Sequence, residues 1–310
     1  MQEIHYSVMK QEVLTHLVPL SNSGTVVDCT LGAGGHSEAL LATYPGITVI
    51  GIDRDRGMVD HARHRLAGFG PRFTALCEWF DDVLSDYPAQ FPPPQCILMD
   101  LGISTYHYEG SKRGFSLHSE EDLDMRLDLD QELTAGQVVN TCREQDLADI
   151  LYQYGEERYS RRIAKALCEA RPIRTAKEVR DVVYRCVPPG YRRGRIHPAT
   201  KTFQALRIEV NSELPRIRRG IEAAVELLCT GGRIGVISFH SLEDRITKQM
   251  FRLFAGRAPA DEQNSQHYRD NPSLRLITRK PITPSREELH VDQASRSAKF
   301  RVAEKIGGSI

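Results

Sequence analysis

Several features are missing from this 310-residue sequence, and each absence excludes a class of protein. No stretch approaches the roughly 18 apolar residues that a membrane span requires. The opening Met1-Gln2-Glu3-Ile4-His5-Tyr6 has no basic segment followed by an apolar run. No secretory leader is expected, and the cytoplasm is the default compartment. The seven cysteines, at 29, 77, 96, 142, 168, 186 and 229, stand at least 18 positions apart. That spacing offers neither a disulfide framework nor a CxxC metal pair, so reduced, mostly buried thiols are expected. His61 and His64 lie three apart on a helical stretch without a carboxylate or Cys partner and read as surface residues; no metal is expected. There is no GKS or GKT, which excludes a triphosphate held by a Walker loop.

What is present is ordinary for a folded protein in total but uneven in placement. Hydrophobic residues at 40% and charged residues at 26% match soluble globular chains and argue against disorder. The length suggests one large or two unequal domains. Net charge is zero, yet residues 151–220 carry 17 Lys/Arg against 7 Asp/Glu, while the other 240 residues carry 24 against 34. Such segregation points to one face built for a polyanion, the alternative being a set of solvated helix faces. Arg158, Arg161, Arg162 and Lys165, then Tyr191-Arg192-Arg193-Gly194-Arg195-Ile196-His197, then Lys201 and Arg207 form the basic region. Arginines interleaved with Tyr and His can pair with phosphates and stack on unpaired bases. No helix here sets a broad apolar face beside the charges, so nucleic acid fits better than a membrane.

The first hundred residues alternate β-rich runs with helical stretches, the α/β pattern of a parallel sheet covered by helices. Strands are expected at 25–30, 48–53, 73–76 and 96–100, with helices at 37–44 and 55–66. Beyond Asp100 the chain becomes irregular and charged to residue 130, and helical patterns then follow one another. Strand chemistry resumes at 233–239, with two later candidates at 274–278 and 299–302. The expectation is an α/β domain of residues 1–133 and 206–310 interrupted by a helical domain of residues 134–205. Residues 258–273, polar with Pro259 and Pro272, read as a mobile loop.

The strongest local signal is Asp28-Cys29-Thr30-Leu31-Gly32-Ala33-Gly34-Gly35-His36-Ser37, between a strand and a helix. Glycines there let backbone approach a ligand and aim helix N-terminal amides at it. Asp53 ends the next strand, 21 residues after Gly32, where a carboxylate can accept from both ribose hydroxyls. Together these argue for an adenine-nucleoside cofactor. Ser37 replaces the third small residue of the dinucleotide fingerprint, whereas Asp28 suits a cofactor that carries an ammonium group and a sulfonium. Asp100 ends the fourth strand, and ligands in open α/β folds sit beyond the carboxyl ends of strands. Its alternative is a helix or turn cap. Trp79-Phe80 offers an aromatic cover for an adenine ring or, almost equally, core packing. His240 follows the strand at 233–239 and points into the same crevice if Ser241 is the N-cap of the next helix.

At this point the residues resemble a family: bacterial S-adenosylmethionine-dependent methyltransferases that modify N4 of a cytidine in the decoding region of small-subunit (16S) ribosomal RNA. The resemblance runs from residues 5–13 through the glycine loop, Gly51-Ile52-Asp53-Arg54-Asp55, Asp100-Leu101-Gly102-Ile103-Ser104, Arg113-Gly114-Phe115-Ser116 and Leu123-Asp124-Met125-Arg126-Leu127-Asp128. It continues through residues 197–207, 238–245, Lys280-Pro281-Ile282-Thr283-Pro284-Ser285 and Ser295-Arg296-Ser297-Ala298-Lys299-Phe300-Arg301. It implies a Rossmann-like class I methyltransferase sheet with an inserted all-helical domain. It also implies cofactor contacts at Gly34, Gly35, His36, Asp53, Phe80 and Asp100. A further family contact, usually Gln after Ser-Ser-Pro, is here His107 after Ser104-Thr105-Tyr106. The acidic residues Asp122, Asp124 and Asp128 recur in the family without a role that follows from the sequence.

Cytosine N4 is a poor nucleophile because its lone pair is delocalised into the ring. Methylation would therefore need in-line positioning and acceptors for the amino hydrogens. Asp100, backbone carbonyls after it, Ser104 and His240 are the candidates. Arg161, Arg162, Arg192, Arg193, Arg195 and Lys201 are the expected RNA contacts, on a monomer or a homodimer. A DNA amino-methyltransferase would carry an Asn/Asp-Pro-Pro-Tyr-like sequence where this chain has Asp100-Leu101-Gly102-Ile103. A nicotinamide-dependent oxidoreductase shares the loop and the ribose acid but would give a spectroscopic signal with NADH. A ribosome-assembly factor without catalysis is separated only by a methyl-transfer assay.

Overall fold

The computed structural model describes residues 7–21, 23–257 and 272–307. The expected loop at 258–273 lies outside these residues except for its last two, as do His5 and Tyr6. Seven strands, β1 (Thr25–Asp28), β2 (Thr48–Ile52), β3 (Phe73–Leu76), β4 (Cys96–Asp100), β5 (Arg233–Ser238), β6 (Leu274–Leu276) and β7 (Lys299–Lys305), form one sheet in the order β3-β2-β1-β4-β5-β7-β6. The first five pair in parallel, and β7 runs antiparallel to both β5 and β6. This is the α/β methyltransferase sheet that the resemblance implies. Strand order reverses between β1 and β4, which opens a crevice at their carboxyl ends.

The sheet forms because its central strands are apolar on both faces. Thr25-Val26-Val27-Asp28 is buried throughout, and so are the first four residues of β4. Successive side chains point to opposite faces. Val27, Ile50, Ile97, Met99, Ile234 and Val236 pack on one side with Val83 and Leu84 of α4 (Phe80–Ser85), Ile217, Ile221 and Val225 of α12 (Glu213–Leu227), and Met250 and Phe251 of α13 (Ser241–Phe254). Val26, Val49, Cys96 and Leu98 pack on the other with Val13 of α1 (Lys10–His16), Leu40 and Leu41 of α2 (Gly35–Thr43), and Phe300 and Val302. Each such side chain removed from water contributes about 1.5–3 kcal/mol, so the two apolar layers hold the strand ends in fixed register. The remaining helices of this part are α3 (Arg56–Leu66) and α14 (Arg286–Val291).

The chain divides into two compact units: residues up to Gly102 together with those from Leu214 onward, and Ile103–Glu213. The second unit is wider on both sides than the expected insertion of residues 134–205. Its helices are α5 (Thr105–Glu109), α6 (Ala135–Thr141), α7 (Glu144–Gly155), α8 (Ser160–Glu169), α9 (Ala176–Cys186), α10 (Pro189–Arg192) and α11 (Thr200–Asn211). The irregular segment before α6 belongs with them because it buries Phe115, Leu123 and Met125 in their core and pairs Asp122 with Thr175. At the other end α11 buries Phe203, Leu206 and Val210 in the same cluster. Thr134 and Thr175 close capping boxes with Gln137 and Glu178, which sets the start of α6 and α9. All seven cysteines are free, but only Cys29, just after β1, and Cys96 of β4 are buried; the other five are half-buried, which corrects the expectation of mostly buried thiols.

Candidate active site

The glycine loop is stitched between strand ends. Cys29 N donates to Leu98 O at 2.8 Å, Leu31 N to Ile52 O at 2.9 Å, and Gly34 N to Leu31 O at 2.8 Å. Gly34 is the N-cap of α2 with φ 81°, a left-handed turn that glycine adopts without strain. The turn delivers Gly35, His36 and Ser37 to the head of α2, over the carboxyl ends of β1 and β4.

Three carboxylates meet the loop. Asp28, fully buried, accepts from Ser37 Oγ at 2.7 Å and from Thr30 N at 3.3 Å. Burial pushes its carboxyl up, against the opposing pull of His36, Ser37 and Thr30. Asp53 accepts from Gly32 N at 2.8 Å through Oδ2 and from Asp55 N at 2.9 Å through Oδ1, so the expected ribose acid also fastens the loop to β2. The main chain of Asp100 is held by its N–H, which donates to Thr30 Oγ1 at 2.6 Å. Its Oδ2 stands 3.4 Å from His36 Nε2, while its Oδ1 is buried with no hydrogen-bond partner.

The aromatic pair after β3 is anchored by arginines. Trp79 is the N-cap of α4, and the Arg216 guanidinium lies 4.0 Å from its ring centroid. The buried Asp81 accepts from Arg216 at 2.8 Å and from Arg219 at 2.5 Å. Phe80 packs partly into the sheet core, where its ring faces Gly220; a Cβ at Gly220 would stand 2.3 Å from Phe80 Cε2. His240, not Ser241, is the N-cap of α13. The Glu243 carboxylate reaches back to the N–H groups of Phe239 at 2.7 Å and His240 at 3.2 Å, which closes a capping box one residue earlier than expected. The His240 ring accordingly lies against Glu243, with Nε2 and Oε1 3.1 Å apart.

In the second unit, Ser104 Oγ and His107 Nδ1 are 3.2 Å apart, and the buried His107 ring packs against Tyr106 and Phe115. The basic residues divide by role. Arg161, Arg162, Arg193 and Arg195 are exposed. Arg192 instead donates to Arg185 O at 2.7 Å and Val187 O at 3.2 Å, and Lys201 to Glu156 O at 2.7 Å. Arg158 lies 4.9 Å from the centroids of both Tyr159 and Tyr191, and the buried Glu157 accepts from Tyr191 OH at 2.6 Å. The acidic stretch proves partly architectural. Asp124 pairs with Arg126 through both carboxylate oxygens, and Leu123 N donates to Arg174 O at 2.9 Å.

The model of the MraW methylase family matches residues 2–306. The chain belongs to the MraW methylase family. It is similar to the ribosomal RNA small subunit methyltransferase H of Treponema denticola, 46% identical over 99% of this chain and 98% of that one. The protein of the same name from Sulfurihydrogenibium sp. is 45% identical over 97% and 99% of the two chains, and that of Rippkaea orientalis 43% identical over 97% and 92%. The contacts made by Thr30, Ser37, Arg216 and Arg219 are not legible in the sequence. Thr30 and Ser37 lie inside the loop motif, but nothing local says which carboxylates their hydroxyls meet; the arginines are far from Asp81 along the chain. Among the described residues, no helix is long and apolar enough to cross a membrane.

Proposed function

We propose that this MraW methylase transfers a methyl group from S-adenosylmethionine to the N4 amine of a cytidine in the decoding region of 16S ribosomal RNA, within the small ribosomal subunit in the cytoplasm. The observation that carries the reading is the match along almost the whole chain to the family and to ribosomal RNA small subunit methyltransferases. The crevice fits the cofactor by its chemistry. Asp28 and Asp100 suit a ligand bearing an ammonium and a sulfonium, Asp53 suits ribose hydroxyls, and Phe80 supplies an apolar face for adenine. Asp100 Oδ1, buried and unpartnered, is an acceptor in want of a donor. When bound, the cofactor supplies an electrophilic methyl group. Asp100 is placed to accept an amino hydrogen as N4 becomes tetrahedral, with Ser104 and His240 as further candidates. The cytosine has to leave its stack to reach a strand-end crevice, so an unpaired or flipped base is the expected substrate.

The direct test is mass spectrometry of 16S ribosomal RNA after unmethylated small subunits are incubated with the protein and S-adenosylmethionine. N4-methylcytidine at one position is expected; its absence sinks the reading.

Two further results are expected. Gly220→Ala crowds the Phe80 ring and costs ~1–3 kcal/mol of stability, the usual scale of overpacking. The displaced ring also weakens cofactor binding. Denaturant melts and calorimetric titration read both, and an unchanged affinity would detach Phe80 from the cofactor. The exposed Arg193 and Arg195 grip phosphate in this reading, whereas Arg192 and Lys201 are engaged with backbone carbonyls. Neutralising Arg193 and Arg195 together should weaken RNA binding and flatten its salt dependence by roughly 0.7 in log–log slope per lost contact. A slope equal to wild type would make these arginines a solvated turn.

A further inference from the structure

We propose that the His36 imidazole is a positioning residue for Asp100: its charge draws one carboxylate oxygen toward the ring so that the other is presented to the crevice as a fixed acceptor. The inference rests on the methyl-transfer reading and gives the His36 ring a part played through another side chain, in addition to the cofactor contact that the resemblance implies for this residue.

The geometry is built from one helical turn. His36 and Ser37 are successive residues at the head of α2, and each meets the carboxylate that ends a neighbouring strand. Ser37 Oγ donates to Asp28 of β1 at 2.7 Å, whereas His36 Nε2 lies 3.4 Å from Asp100 Oδ2 of β4, an ion-pair distance without the alignment of a hydrogen bond. Both members of the second pair are shielded, with side chains 6% and 12% exposed. The Asp100 backbone is already fixed through Thr30, so the imidazole restrains what remains free, the rotation of the carboxylate. That rotation decides where Oδ1 points. Oδ1 is buried and unpartnered, a condition that costs free energy unless a ligand completes it.

Charge favours the same arrangement. The groups that act on the ring are Lys10 of α1, Asp28 of β1, Asp100 of β4 and Glu288 of α14, whose carboxylate accepts from Met9 N at 2.6 Å. Burial works against an imidazolium here, but the charges of Asp100 and Asp28 together outweigh burial and Lys10. The ring therefore titrates above its ordinary value. A raised pKa means that the ion pair is complete below that value and is lost as pH rises through it. Asp100 would then keep its backbone anchor but lose the cation that orients it.

The test is a double-mutant cycle read by single-turnover methyl transfer to small subunits at saturating cofactor. His36→Gln, which keeps a donor near the Nε2 position but not the charge, should lower the rate about tenfold with RNA affinity unchanged. In an Asp100→Asn background the same substitution should cost less than about twofold, because the group it acts through is already gone. Histidine-selective NMR supplies a readout that needs no turnover: the His36 ring should titrate above its ordinary value in the wild type and fall back in Asp100→Asn. Equal losses in both backgrounds, a loss confined to cofactor affinity, or a ring titration indifferent to Asp100→Asn would each overturn the proposal. A wild-type protein that transfers no methyl group would overturn the methyl-transfer reading and the positioning role with it, while the ring titration would still report the ion pair by itself.

Discussion

Asp100→Asn should lower turnover by ~100-fold or more, the scale of losing one preorganised partner of a transition state. The substitution keeps the shape of the side chain and the backbone bond to Thr30 Oγ1, so the strand end stays in place. What it removes is negative charge and one acceptor. Oδ1 has no partner among the described residues, which leaves it available to an incoming N–H. An amide nitrogen in that position would face the amino hydrogen as a second donor. RNA affinity should change little, because phosphate contacts elsewhere dominate it. If Asp100 served only to hold the cofactor, saturating S-adenosylmethionine would restore the rate. A near-normal single-turnover rate under those conditions would leave Ser104, His240 and the backbone carbonyls as the acceptors.

The second large effect belongs to Asp53. Asp53→Ala should weaken cofactor binding by ~1.5–3 kcal/mol, the scale of hydrogen bonds to a charged group. The structure adds a reason for the loss to reach the upper part of that range. The same carboxylate holds the amides of Gly32 and Asp55, so alanine removes the proposed ribose acceptor and also loosens the loop that carries Gly34, Gly35 and His36. The sheet itself should survive, since the residue's backbone N–H keeps its bond to Leu76 O at 3.1 Å and the apolar layers beneath it are untouched. Calorimetric titration with parallel thermal melts separates the two contributions. Unchanged affinity would remove Asp53 from the cofactor site.

Much of this MraW methylase was legible from the order of its residues. Strands buried on both faces must be apolar without interruption, so Thr25-Val26-Val27 and Cys96-Ile97-Leu98-Met99 announce themselves in any context. The glycine loop, the acid 21 residues on and the aspartate ending β4 are likewise local signals, because each needs a particular residue type at a particular point on a strand–turn–helix path. The excess of basic residues between 151 and 220 is a property of composition and needs no fold to be seen.

Other features were decided only by tertiary structure. The second unit begins at Ile103 because the turn-rich segment of residues 103–133, which shows no sustained helical or strand period, finds its partners far along the chain. Leu127 N donates to Asn211 Oδ1, and Leu123 N to Arg174 O. The cap of α13 moved from Ser241 to His240 because the Glu243 carboxylate competes for the free amides at the helix head, and its reach sets the winner. Sequence can mark Arg192, Arg193, Arg195 and Lys201 as basic, but which of them has its donors taken up depends on which backbone carbonyls packing brings within reach. The meeting of His36 with Asp100 has the same origin. It exists because parallel pairing sets β4 beside β1 and the glycine turn folds α2 back over both, so the partner of each side chain is chosen by the sheet and not by any spacing along the chain.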